Sequence, residues 1–171
     1  KWGEWKGYMY YGSYPQSKVT DGAIIVALDT GIESGAITSN EKGYYTYGGE
    51  EYALVVAKGT GGYAAGERCY FKVEPIRWKI LAYNNGQAVL IADTALEAKN
   101  FNSALTSNAW TTSSLKDWLE TLFFGNAFAI EEQYAIVAQG SDSISLFDAG
   151  DLAEYETFSD ADSRKTVASD Y

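Results

Sequence analysis

The sequence predicts a single α+β domain over residues 1–171, a twisted antiparallel sheet flanked by two or three helices. Three patterns carry this expectation. Up to about residue 93 the chain alternates short β-rich runs with Gly-rich turns. Within that stretch, Ile76, Trp78 and Ile80 alternate with Arg77 and Lys79 ahead of Asn84-Asn85-Gly86, a period of two followed by a hairpin turn. Beyond it, Leu115, Trp118, Leu119, Leu122 and Phe123 stand at helical spacing, with an apolar stripe along one side. The shift at residue 93 reads as β to α within one fold.

Each element has its own signal. Tyr8–Tyr14 reads as a strand ending at Pro15, because proline cannot donate to a ladder. Ala23–Leu28 and Tyr52–Ala57, rich in β-branched residues, read as two more strands. Thr30–Gly49 between them is Gly/Ser/Thr-rich and reads as a long loop or mobile hairpin, and Gly59–Gly66 as a turn. Cys69–Val73 leads through Glu74-Pro75 into the Trp78 strand, and Gln87–Ala92 runs back from it. In the next element, a helix, Ser113 or Ser114 caps the start, Asp117 suits the positive end of the dipole, and Gly125 suits a left-handed C-cap. Burying its apolar residues contributes roughly 1.5–3 kcal/mol each, so the helix belongs to the core. Ile130–Ala138 reads as a second helix, Ile144–Phe147 as a short strand, and Asp148 as the N-cap of a third helix with Asp151 one turn on. Ser159–Tyr171 shows no period.

Composition removes several functions. The chain carries 13 Lys and Arg against 23 Asp and Glu, a net charge of −10, which repels nucleic acid and anionic membrane. It contains no His and one Cys, Cys69. That excludes the His-based triads, His-ligated metals, internal disulfides and four-cysteine zinc sites. No run approaches the ~18 apolar residues of a membrane span. The chain begins at Lys1 without Met or a signal peptide's apolar core, which reads as a mature or excised domain and permits secretion.

Few motifs point to chemistry. Ser39–Lys42 and Ser113–Lys116 match Ser-x-x-Lys, and Ser141-Asp142-Ser143 and Lys165-Thr166-Val167 weakly mimic the later motifs of the penicillin-binding fold. The chain is short for that architecture, and Ser113 already serves as a cap. The carboxylate pairs Glu50/Glu51, Glu131/Glu132, Asp148/Asp151 and Asp160/Asp162 are read as solvated, because glycosidase chemistry requires two carboxylates facing across a cleft. Asp160-x-Asp162 opens like a calcium loop, but Arg164 replaces the third oxygen ligand, so Ca²⁺ is left only to scattered carboxylates. Gly59-Thr60-Gly61-Gly62 lacks the Lys of a phosphate loop, and Cys69 reads as a small buried hydrophobe. The aromatic content is the exception: 15% of residues are Phe, Trp or Tyr. They crowd near the start and between Tyr44 and Tyr52, and flat rings of this kind supply contact area at little rotamer cost. Trp2, Trp5, Tyr8, Tyr44, Tyr45 and Tyr47 are therefore the candidate ligand-binding residues, against the plainer role of packing on the sheet.

Separated segments resemble one family. Gly12-Ser13-Tyr14-Pro15-Gln16 is similar to the opening G-x-Y-P-Q of a bacterial extracellular domain family of unknown function, and Pro75–Leu81 to its P-I-x-W-x-V-L strand. Leu90–Asp93 resembles the strand returning from the hairpin. Trp110-x-x-Ser113-x-Leu115-Lys116-x-Trp118-Leu119, with Phe123 and Ala127-Phe128, resembles W-x-x-S-x-L-R-x-W-L-N-x-x-F…A-F, and Leu146–Tyr155 resembles L-S-x-x-E-A-x-x-Y. The resemblance implies a C-type lectin-like fold, shared with formylglycine-generating enzymes and phage receptor-binding proteins, in a secreted or wall-attached protein. It carries over no catalytic residue. The chain departs from the pattern in a longer spacer over residues 17–68, in Lys116 and Glu120 at the usual Arg and Asn, and in lacking a closing W-W-L-R-S block.

The expected function is a non-enzymatic extracellular or cell-surface binding module for carbohydrate or protein, with Trp78, Trp110 and Trp118 structural. The alternative is a spacer or assembly subunit completed by a neighbouring chain, since an open sheet edge recruits another strand. Enzyme chemistry of the formylglycine-generating type would rest on Cys69 alone, and carboxylate-based hydrolysis is the remote remainder.

Overall fold

The structure is a computed structural model that describes residues 3–60, 62–104, 109–138 and 140–171. The fold is mixed, an antiparallel sheet with helices. Its strands are β1 (Gly3–Lys18), β2 (Tyr44–Tyr47), β3 (Glu50–Lys58), β4 (Ala65–Asn84) and β5 (Gln87–Ala92), in the order β1-β4-β3-β2 with β5 also paired to β4. The β2–β3, β3–β4 and β4–β5 pairings are antiparallel. The chain divides into two compact units: Lys1–Ser13 with Pro75–Ala168, and Tyr14–Glu74 with Ser169–Tyr171. The expected break at Pro15 is absent, because β1 continues through it, and β4 runs unbroken through Glu74-Pro75. Pro15 costs little in β1, a terminal strand of the sheet.

In the unit built on Tyr14–Glu74, the expected strand Ala23–Leu28 is instead part of helix α1 (Gly22–Glu33). Asp21 caps it, its Oδ1 accepting from the Ala23 amide at 2.8 Å. Ile24, Ile25, Leu28 and Ile32 then line one helical side and pack with Tyr52 and Tyr70, while Val26 stays exposed. Tertiary packing thus overrides the β preference of Ile and Val. The polar side of α1 is tied to β4 by Tyr70, whose hydroxyl donates to Asp29 at 2.7 Å, and by Arg68, 3.1 Å from both Asp29 and Glu33. The stretch Thr30–Gly49, expected as a long loop or mobile hairpin, begins inside α1 and ends in the β2–β3 hairpin. Ser39 bridges Tyr45, and β2 turns into β3 through Gly48-Gly49, both at positive φ, as a two-residue hairpin turn of primed type requires.

In the other unit, the expected hairpin is present. Asn84 pairs with Gln87 around Asn85 and Gly86, at φ 49° and 80°. A register shift between Ile80 and Ala82 turns Leu81 and Ala82 both inward. Helical structure then runs from α2 (Ser114–Trp118) through a π-helical segment (Leu119–Phe123) to α3 (Phe124–Ala127). Ser113 caps it, accepting from the Lys116 amide at 3.1 Å. Two expectations fail here. Gly125 lies inside α3 rather than at a left-handed cap, and Leu122 is exposed while Leu119, Phe123 and Ala127 are buried. The wider π turn rotates Leu122 out of the stripe that a regular helix would have kept inward.

Phe128, which ends α3, is an aromatic hub. Trp78 stacks on it at 6.2 Å between centroids, and Tyr11, Phe123 and Phe124 pack around it. Gly12, at φ 68°, lies so close that a Cβ there would meet Ala127 O at 2.6 Å and the Phe128 ring at 2.7 Å. α4 (Ile130–Gln133) is shorter than expected, and Glu132 spends its carboxylate on the Gly12 and Ala129 amides at 3.0 and 2.8 Å. The expected strand Ile144–Phe147 is irregular: the Ile144 amide donates to Glu120 at 2.9 Å, and the Phe147 ring packs on Tyr155 and Phe158. Asp148 does cap α5 (Ala149–Glu154), accepting from the Gly150 amide at 2.6 Å. The closing stretch adds β7 (Val167–Ala168), parallel to β6 (Thr94–Ala95).

Candidate functional site

The residues that suggested catalysis are occupied with structure. Ser113 is 3% exposed and caps α2. Lys116 is ion-paired with Asp142, which also accepts from the Trp110 indole N–H and the Ser141 hydroxyl, each at 2.6 Å. Ser141 lies 3.4 Å from the Lys116 ammonium, but a lysine donating to a carboxylate is not placed to take a serine proton. Beside this network is an open depression of about 240 Å³ lined by Thr111, Thr112, Ser113, Lys116, Asp117 and Glu120.

Members of the carboxylate pairs also have local partners. Glu50 pairs with Lys72 at 3.2 Å and Glu51 accepts from the Asn40 side chain at 2.7 Å. Asp162 meets Lys165 at 2.6 Å. Asp160 accepts from the Ser163 amide at 2.8 Å, and this hydrogen bond holds its carboxyl below the ordinary range against a smaller opposing effect of desolvation. Among the described residues no group of three or more His, Cys, Asp or Glu is placed to hold a metal ion. Cys69 is buried, its thiol 3.8 Å from Glu67, beside an apolar groove of about 300 Å³ that includes Val55, Val56 and Phe71.

The aromatic candidates separate. Trp2 and the side chain of Trp5 lie outside the described residues. Tyr44 is 6% exposed and belongs to the core, so it offers no ring face to a ligand. Tyr45 is half-buried against the Leu28–Tyr52–Tyr70 cluster. Tyr47 is exposed beside the Gly48-Gly49 turn. In the other unit, Tyr8 is 54% exposed and Tyr10 65%. Residues two apart on a strand share a face, with their Cα atoms about 6.5 Å apart.

Arg77 completes this face. Its guanidinium sits 4.9 Å from the Tyr8 ring centroid, in the geometry of a cation–π contact. It is ion-paired with Asp93, whose amide donates to Arg77 O at 3.0 Å and whose carbonyl accepts from Thr166 at 2.7 Å. The hydrogen bond to Asp93 and then the Asp93 charge raise the Arg77 pKa further, with smaller contributions from Tyr10 and Tyr8 after an opposing desolvation effect. Among the described residues Asp93 is a side-chain acceptor of this guanidinium, which carries five N–H donors. The arrangement is thus two exposed rings and a fixed, permanently charged donor beside an acceptor. It can stack and hydrogen-bond.

Sequence reasoning reached Tyr8 and missed Arg77 and Asp93. The signal for Arg77 was present, since it alternates with Trp78 and so belongs on the opposite, solvent side of β4. Asp93 carries no such signal until the β4–β5 hairpin closes.

Comparison with known proteins yields no match: no family model, no curated protein and no solved structure is similar to this chain.

Proposed function

We propose that this chain is a non-enzymatic binding module of a secreted or cell-surface protein, with carbohydrate or protein as ligand and the Tyr8–Tyr10–Arg77 face as contact surface. One observation carries the reading: two half-exposed tyrosines share a strand face with an arginine held against one of the rings. Exposed aromatic and Arg side chains together are the commonest currency of recognition surfaces. The engagement of Ser113, Lys116 and Asp142 in capping and ion pairing supports the non-enzymatic part. The resemblance to the bacterial extracellular family supports the location and a C-type lectin-like architecture. No helix among the described residues is long and apolar enough to cross a membrane.

The test is a glycan and peptide array probed with the purified chain, with and without Ca²⁺. Specific hits that vanish in a Tyr8→Ala/Tyr10→Ala variant are expected. Hits that persist in that variant, or silence from a chain shown to be folded by circular dichroism, would refute the reading.

The position of β1 at the end of the sheet favours a second reading, assembly with a neighbouring chain through that edge. Within the Tyr14–Glu74 unit the edge is met by the chain itself, as Tyr171 N donates to Gln16 O at 3.1 Å and Lys18 N to Asp170 at 2.9 Å. A concentration-independent monomer in sedimentation would dispose of assembly through copies of this chain.

A further inference from the structure

We infer that the Tyr8–Tyr10–Arg77 face takes a neutral, hydroxyl-rich chain, a carbohydrate rather than a polyanion or a polypeptide. This deepens the binding reading above and rests on it.

Charge argues first. Arg77 is a cation of the face, and Asp93 already neutralises it. An anionic ligand would have to displace or sit beside that carboxylate, and would approach a chain of net charge −10. A neutral ligand meets neither cost.

Hydrogen-bonding complementarity argues next. A guanidinium only donates and a carboxylate only accepts, and here the two are locked side by side, the Asp93 side chain 14% exposed and Arg77 51%. A hydroxyl both donates and accepts, so adjacent hydroxyls of a sugar ring satisfy an acceptor and a donor at neighbouring positions. With five N–H groups, Arg77 can extend the contact without breaking its bond to Asp93.

Shape separates sugar from polypeptide. Protein partners draw most of their affinity from side chains buried in dry pockets. The face offers two exposed tyrosines, against which the flat C–H face of a pyranose can stack.

The test is affinity electrophoresis of the full chain through gels containing neutral xylan, mannan or β-glucan, or anionic polygalacturonate, alongside capture on an immobilised pool of random-sequence peptides. Retardation by at least one neutral glycan is expected. Tyr10→Ala should weaken it about tenfold, Arg77→Lys should weaken it by losing the planar donor array, and Tyr134→Ala, at a residue 85% exposed elsewhere, should leave it unchanged. Retardation by polygalacturonate alone, or capture by peptides with no glycan retardation, overturns the carbohydrate assignment while leaving a binding module. Glycan retardation that survives Tyr10→Ala and Arg77→Lys overturns the assignment of the face. No interaction with any probe overturns the inference.

Discussion

Replacing Gly12 by Ala tests how the strand β1 is locked to the helical layer of its unit. Two effects add. An L-residue at φ 68° takes on left-handed strain of roughly 1–2 kcal/mol. The new methyl would also lie 2.6 Å from Ala127 O and 2.7 Å from the Phe128 ring, overpacking that typically costs about 1–3 kcal/mol. The expected loss is therefore about 2–5 kcal/mol in urea-induced unfolding followed by tryptophan fluorescence. Gly48→Ala supplies the comparison: φ is 61° there, yet nothing lies within 4 Å of the added Cβ, so it should lose only the strain, about 1–2 kcal/mol. Equal losses at the two positions would refute the close approach of Gly12 to Phe128 as the reason for glycine.

Three further outcomes are expected. Burial of Tyr70, and then its hydrogen bond to Asp29, raise its hydroxyl pKa above the ordinary 10.0; the neutral form is favoured in the folded chain, so stability is intact below pH ~10 and falls by up to ~1.4 kcal/mol per pH unit above it. Urea midpoints between pH 9 and 11 should show this slope in the wild type and a shallower one in Tyr70→Phe. Asp21→Ala, by removing the cap of α1, should cost ~1 kcal/mol in thermal unfolding, with helical ellipticity lost if α1 frays. Leu119→Ala should cost about 2–5 kcal/mol of chemical stability and Leu122→Ser close to nothing; the reverse order would contradict the π-helical turn that separates a buried from an exposed leucine.

The legible parts of the fold are those whose signals are local. The β4–β5 hairpin was legible because Asn85-Gly86 can hold positive φ at both turn positions and the Trp78 run alternates strictly. The caps at Ser113 and Asp148 were legible because a capping side chain acts within three residues. α1 was misread because Ile24-Ile25-Val26 looks like a strand; the deciding facts were Asp21 at its start and the spacing of Ile24, Leu28 and Ile32, which matters only once Tyr52 and Tyr70 supply a surface to pack on. The exposure of Leu122 was hidden because the π turn leaves no local trace. The aromatic candidates divide for a related reason. Clustering along the chain put Tyr44, Tyr45 and Tyr47 together, whereas alternation along β2 sends Tyr44 inward. The face that did form joins β1 to β4 through Tyr8 and Arg77, residues far apart in sequence.

The central claim is that Tyr8 and Tyr10 make the contact surface. Its most direct test is calorimetric titration of the strongest array ligand into the wild-type chain and into the Tyr8→Ala/Tyr10→Ala variant, both shown to be equally folded. The account predicts an affinity about a hundredfold weaker in the variant, about tenfold for each ring if their effects add. Equal affinity in the two proteins would contradict it.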